Sequence, residues 1–199
     1  MAPDLLGCVL EHETAEGLVA VELTEVEAYA GETDPASHSY RGMTGRNAVM
    51  FGPPGYAYVY FTYGMHFCVN VVCMPSGIPR AVLFRAGRVI EGESLARHRR
   101  MPRHPQEGPS AAIPARDLAR GPARLCQALA INRAQNGQNL CSAASELRLR
   151  LADTVPGADH AIEAGPRVGV SAAADVPWRF WLAGDPTVSA YRPYKSRAR

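Results

Sequence analysis

Apolar and polar residues alternate through residues 18–29, L-V-A-V-E-L-T-E-V-E-A-Y, and this period of two predicts a long β-strand. One face of that strand carries Val19, Val21, Leu23, Glu25, Glu27 and Tyr29. It starts apolar, turns acidic and ends aromatic, the pattern of a strand that leaves a core and enters a cleft. Residues 30–55 are rich in Gly, Pro, Ser and Asn and read as a long loop closed by F-G-P-P-G, a length often associated with function. Two β-like runs follow, Tyr56–Tyr63 and His66–Cys73, joined at Tyr63-Gly64-Met65 as a hairpin. Residues 81–90 predict another strand and Glu91–Arg100 a helix. Residues 98–116 read as a mobile loop. A second helix is predicted over 120–130, with Pro122 in its first turn, and further strands over 147–151, 167–170 and 178–184. Residues 190–199 form a basic tail. The fold class expected is α+β, a single domain over residues 1–199 with mostly antiparallel pairing.

Composition narrows the setting. At 199 residues the chain is long enough for one domain with a real core, and 47% hydrophobic with 20% charged residues is ordinary for a globular protein. No apolar run approaches a membrane span and no basic-then-apolar leader opens the chain, so the expectation is a cytoplasmic protein without membrane contact. Cys8, Cys68, Cys73, Cys126 and Cys141 form no C-x-x-C pair; they read as reduced, mostly buried thiols, with no zinc site. The net charge of +2 conceals a split. Nine acids lie in the first 34 residues, and no Lys or Arg precedes Arg41. The remaining basic body suits a polyanion. Lys195 is the only lysine, which disfavours Schiff-base chemistry.

Several residues could carry chemistry. Glu25 reads as a solvated strand-edge carboxylate. Glu27, followed on the same face by Tyr29 and soon by His38, reads as a general base on water. Tyr58 and Tyr60 share a strand face, and Tyr63 with Met65 stands at a protruding turn, suited to a partner interface or to a wedge between bases. Asn70 inside F-C-V-N-V-V-C requires a partner, either backbone or a ligand edge. Arg85 inside V-L-F-R-A requires an anion, carboxylate or phosphate. R-G-P-A-R-L at 120–125 places Gly121 and Arg124 at a helix start, either as a plain cap or as a phosphate contact. His98 and His104 receive no role. Three functions stay open on these residues: a base-releasing enzyme, a sugar-directed glycosidase using Glu25 with Glu27, and a non-catalytic module for damaged DNA.

Longer blocks separate them. E-V-E-A-Y-A-G-E-T-D-P-A-S-H-S-Y-R-G, R-N-A-V-M-F-G-P-P-G, Y-V-Y-F-T-Y-G-M-H-F-C-V-N, V-L-F-R-A, R-G-P-A-R-L-C-Q-A-L, P-R-V-G-V and W-R-F-W-L-A-G-D-P-T-V-S, in order from Asp4 to about Ser189, closely resemble the 3-methyladenine (alkyladenine) DNA glycosylase family. The resemblance implies a curved antiparallel sheet with flanking helices, no cofactor and no metal. Its substrate is double-stranded DNA containing damaged purines, bound by a monomer. It assigns water activation to Glu27 and the base pocket to Tyr29, His38, Tyr60 and Asn70. Intercalation falls to Tyr63. Support or phosphate contact falls to Tyr58, Met65, Arg85, Gly121 and Arg124. Two departures stand out: the leading segment before D-L-L-G is short or absent, and His66 replaces an aromatic found in some relatives.

Overall fold

The long alternating strand is the axis of the molecule. In the computed structural model, which describes residues 1–102, 112–151 and 161–194, it spans β2 (Gly17–Tyr29). One edge of β2 pairs along its length with β5 (Ala81–Glu91). The other edge is shared: β1 (Val9–Thr14) covers the first half, and β8 (Arg179–Leu182) covers Glu25–Glu27. The hairpin consists of β3 (Ala57–Thr62) and β4 (His66–Val72), and β4 pairs with β5. β6 (Leu147–Arg150) lies outside β1, and β7 (Ile162–Gly165) pairs with β8. All these pairings are antiparallel, in the order β3-β4-β5-β2-β1-β6 with β8 and β7 branching from β2. Register shifts around Glu25 let β2 bend from one partner to the other, so the sheet curls. The expected α+β fold with a curved antiparallel sheet is what forms.

Alternation sorts the two faces. Val59, Val69, Val71, Val82, Phe84 and Val26 are buried in the main core with Leu125 and Cys126 of α2 (Pro122–Ala128). α1 (Glu93–Arg100) packs on α2 through the fully buried Ala96. The opposite face carries a single cross-strand line. Tyr58 pairs with Asn70, Asn70 with Leu83, Leu83 with Glu27, and Glu27 with Arg179. Directly opposed residues in an antiparallel sheet point to the same side. Register therefore brings together residues scattered from Glu27 to Arg179, 152 positions of sequence.

Several expectations need correction. β1 and β7 were not anticipated from the sequence. Residues 167–170 form a turn-containing irregular segment that no strand pairs. β5 continues to Glu91, so α1 begins at Glu93. Of the expected mobile segment, residues 98–100 belong to α1 and Ala115–Asp117 form a 3-10 helix; residues 103–111, with His104, lie outside the described residues. Lys195 and the end of the basic tail lie outside them as well. The five cysteines are free; Cys8, Cys68 and Cys126 are buried and Cys141 is exposed. Among the described residues no helix is long and apolar enough to cross a membrane.

The acidic first segment does not form an acidic surface. It is the middle of the sheet, and its carboxylates meet arginines from later in the chain. Glu11 pairs with Arg148 and Arg150, Glu16 with Arg99, Glu22 with Arg88, and Asp34 with Arg167. The exposed pairs contribute little stability each, but they neutralise the segment.

The bend of β2 also needs a residue without a side chain opposite it. A Cβ on Gly87 would lie 2.3 Å from the Glu22 carbonyl oxygen and 2.4 Å from Val21 Cγ1. Gly87→Ala must therefore push the two central strands apart. We expect a loss of about 2–3 kcal/mol in urea unfolding, with a Tm drop of several degrees.

Candidate active site

On the face opposite the core, β2, β5, β4 and β3 each contribute alternate residues to one cleft of about 540 Å³. From β2 come Glu27 and Tyr29, from β5 Leu83 and Arg85, from β4 Cys68 and Asn70, and from β3 Tyr58 and Tyr60. The loop contributes His38, and the hairpin tip contributes Tyr63. The size suits a small organic ligand. Eight of the eleven residues singled out from the sequence meet here. Met65, Gly121 and Arg124 do not line the cleft. Met65 is exposed beside Tyr63, Gly121 caps α2, and half-exposed Arg124 lies 4.0 Å from Asp117.

Glu25 and Glu27 share a face, as expected, yet their environments differ. Both side chains are fully buried, so Glu25 is no solvated edge. Its Oε1 accepts from Arg85 Nε at 2.7 Å, Arg179 Nε at 2.7 Å and Ser189 Oγ at 2.9 Å, and its Oε2 from Ser189 N at 2.7 Å. Burial by itself would raise the Glu25 carboxyl; the charges of Arg85 and Arg179 and the Ser189 bond more than reverse this and hold it below its usual range. Four donors thus hold this carboxylate, three on Oε1 and one on Oε2. Glu25 does not line the cleft whereas Glu27 does, which argues against a sugar hydrolase with two carboxylates facing one substrate.

Glu27 is not saturated. Its Oε1 accepts from Val168 N at 2.7 Å and lies 3.2 Å from a terminal nitrogen of Arg85; its Oε2 accepts from Tyr29 Oη at 3.0 Å. With about four sites available, one remains open toward the cleft. Burial first, and the neighbouring Glu27 charge second, raise the Tyr29 phenol well above its ordinary value, so Tyr29 stays a donor. Arg85 is 5% exposed and fully engaged: Nε on Glu25, one terminal nitrogen beside Glu27, the other donating to Ser189 Oγ at 3.3 Å. The anion that this guanidinium required is a pair of carboxylates. Each of its three nitrogens has one such partner, and the side chain also lines the cleft.

The aromatic walls are braced. His38 Nδ1 meets Tyr58 Oη at 3.0 Å, and its ring packs edge-on against Tyr60 with centroids 4.5 Å apart. Asn70 Nδ2 donates to the Tyr58 carbonyl at 3.0 Å, so the amide both satisfies the strand and lines the cleft. Beneath Tyr29, Arg167 lies 4.7 Å from the ring centroid and donates twice to Asp34, at 2.6 and 2.9 Å. That buried pair anchors the segment carrying Val168. At the tip, Tyr63 is 84% exposed and sits at φ 51°, followed by Gly64 at φ 69°. Left-handed backbone costs a non-glycine residue about 1–2 kcal/mol, so this position holds tyrosine despite its backbone.

Sequence reasoning missed Val168, Asp34, Arg167, Arg179 and Arg46. Arg179 carries the signal that marked Arg85, a cation inside an apolar strand, W-R-F-W. Arg46 lies 5.8 Å from the Tyr60 centroid; neither it nor Arg133 has a carboxylate partner among the described residues, and both act on the Tyr58 phenol. Nothing in the sequence links Asp34 to Arg167 or Glu27 to the backbone of Val168.

The cleft thus joins a buried carboxylate, an aromatic slot and a projecting hairpin. Comparison with known proteins gives the family. Residues 1–186 match the family described as methylpurine-DNA glycosylase (MPG). A protein of Streptomyces avermitilis is 50% identical over 200 residues, covering 100% of this chain and 89% of the relative. One from Leifsonia xyli subsp. xyli is 51% identical over 197 residues (96% and 87%), and one from Nocardia farcinica 53% over 193 residues (94% and 84%). All three are provisionally named 3-methyladenine DNA glycosylase. The chain belongs to the methylpurine-DNA glycosylase family and is a DNA glycosylase for alkylated bases.

Burial lowers the pKa of His38 below the usual 6.5, and nearby Arg46 lowers it further; burial also lowers that of His12, whose Nδ1 lies 2.6 Å from the Leu129 carbonyl. The unfolded chain therefore binds more protons than the folded one as pH falls. Stability from the neutral imidazoles is complete above about pH 6.5 and declines below it. Two-dimensional NMR titration should place both midpoints below 6.5, with Tm falling between pH 7 and pH 5.5.

Proposed function

We propose that this chain is a monofunctional glycosylase of base excision repair, one domain over residues 1–199 that works as a monomer without cofactor. It flips alkylated or deaminated purines out of duplex DNA and hydrolyses the N-glycosidic bond, leaving an abasic site. The observation that carries this reading is the unequal pair of glutamates, with Glu25 held by four donors behind the cleft and Glu27, held by three, lining it with an open acceptor.

A base must leave the stack before its glycosidic bond can be reached, at a cost of a few kcal/mol that is least for damaged pairs. Tyr63 fills the vacated gap, with Met65 beside it. The extruded base stacks on Tyr29 and Tyr60 with His38 at the rim, which offsets roughly 1–3 kcal/mol per base. An alkylated purine is cationic, and aromatic faces favour it further. The locked amide of Asn70 sets a donor against the exocyclic amine of normal guanine. Glu27 accepts the proton of a water held at its open site, and the water attacks C1′ as positive charge develops on the sugar. Arg85, Val168 N–H and Tyr29 keep that carboxylate aimed. Tyr58 braces His38. The start of α2 at Gly121 and Arg124, together with Arg46 and Arg133, which have no carboxylate partner among the described residues, supplies the electrostatics for the DNA backbone. Among the described residues no lysine lines the cleft, and on this reading the chemistry stops at the abasic site.

A duplex with one hypoxanthine or alkylated purine tests the whole reading. The protein should release free base and leave a site cut only after alkali. Binding without release would favour a damaged-DNA-binding module instead. Glu27→Gln should lower single-turnover excision by at least about 10²-fold while abasic-site DNA still binds; near-normal release would remove Glu27 from the mechanism. Tyr63→Ala should weaken lesion binding about tenfold and slow excision. Unchanged kinetics on duplex DNA would count against the wedge.

A further inference from the structure

Glu27 is the cleft end of a buried cluster whose inner members have no role in the proposed proton transfer. It holds two carboxylates, Glu25 and Glu27, and two guanidiniums, Arg85 and Arg179, each no more than 5% exposed. Both arginine Nε atoms point at one oxygen of Glu25. Ser189 closes the other side, and it is presented by a small clasp. Thr187 donates through N and Oγ to Asp185, and its hydroxyl meets Thr24 Oγ at 2.7 Å, beside the β2 irregularity that turns Glu25 inward. Four bonds around a fully buried carboxylate that does not line the cleft call for a purpose other than proton transfer.

We propose that Glu25 is a positioning residue: its charge occupies Arg85 and Arg179, so that Glu27 presents an uncancelled negative charge to the cleft. The inference rests on reading Glu27 as the base that activates water. With Glu25 ionised, the four groups sum to zero, and Arg85 turns only a terminal nitrogen toward Glu27, at 3.2 Å, against 2.7 Å for its Nε on Glu25. Without that charge, two buried cations would face a single carboxylate. Arginine does not lose its proton in proteins, so the surplus could not be relieved by titration. It would stand next to the sugar carbon, where a transition state with oxocarbenium character needs negative surroundings. Water is largely excluded there, and charge acts over longer range than in solvent. Tyr29, Cys68 and Arg167, the other titratable or charged groups placed to act on Glu27, are unchanged by the substitution.

Glu25→Gln keeps the shape and removes the charge. Two duplex probes separate charge from shape: a tetrahydrofuran abasic site, which is neutral, and a pyrrolidine abasic site, which is cationic at pH 7. Wild-type protein should prefer the cationic probe. Glu25→Gln should reduce that preference about tenfold, bind the neutral probe nearly as before, and slow single-turnover excision by about tenfold or more. Arg179→Gln, which changes the charge in the opposite sense, should preserve or widen the preference. The double variant, neutral again, should recover it toward the wild-type value. Equal loss on both probes, or an unchanged preference in Glu25→Gln, would reduce Glu25 to a structural role and overturn the proposal. Should Glu25→Gln fail to fold, a narrowed preference in Arg179→Gln overturns it equally. Wild-type protein that released no base would take down the glycosylase reading and this inference together, whereas normal excision with equal losses takes down this one alone.

Discussion

One guanidinium shared by two buried carboxylates governs how this protein is put together. Arg85 lies between Glu25 and Glu27, and its pKa is raised by both. Taking such charges out of water costs several kcal/mol per ion, recovered only if each lone pair and N–H finds a partner. That requirement reaches well beyond the site. It demands β8, which supplies Arg179, and the segment after it, which supplies Ser189. It also demands the bend of β2, because a straight strand paired along one edge with β1 would leave no room for β8 beside Glu25. The curl of the sheet and the four donors around Glu25 are two aspects of one constraint.

A second consequence follows from the same geometry. Once Glu25 absorbs the inner donors, Glu27 can be buried yet incompletely bonded. Its three donors come from a strand neighbour, a facing strand and a loop, and together they aim the remaining lone pair into the cleft. The cross-strand line from Tyr58 to Arg179 sets the relative heights of the aromatic walls, the amide and the carboxylate without any loop having to close. The hairpin extends this rigid face outward and ends in an exposed ring, an economical way to combine a preorganised pocket with a probe for the DNA stack. Charge is distributed to match. Arginines from the later chain neutralise the carboxylates of β1 and β2, while Arg46 and Arg133, which have no carboxylate partner among the described residues, act on the Tyr58 wall of the cleft.

Much of this was legible in the residues. Period-two alternation located β2, β5 and the hairpin, because a strand with one face on a core and one on a cleft must alternate in that way. The polar interruptions Asn70 and Arg85 marked the cleft face for the same reason: a buried polar group requires a partner or a ligand. Glu25 was misjudged. A glutamate on a strand face is usually solvated, and nothing within a dozen residues of it shows that Arg85, Arg179 and Ser189 converge there. The run at 167–170 was read as a strand on apolar content, but its backbone N–H serves Glu27 and not a neighbouring strand.

The sequence by itself determined the alternation, the turn at Tyr63-Gly64, the shortage of lysine and the blocks that resemble one family of DNA glycosylases, since each is a property of local order along the chain. Only the tertiary structure decided which of two glutamates lines the cleft and which is held behind it by four donors. Those donors lie 60 to 164 residues away, and hydrogen bonding is a property of what folding brings within 3 Å, not of spacing along the chain.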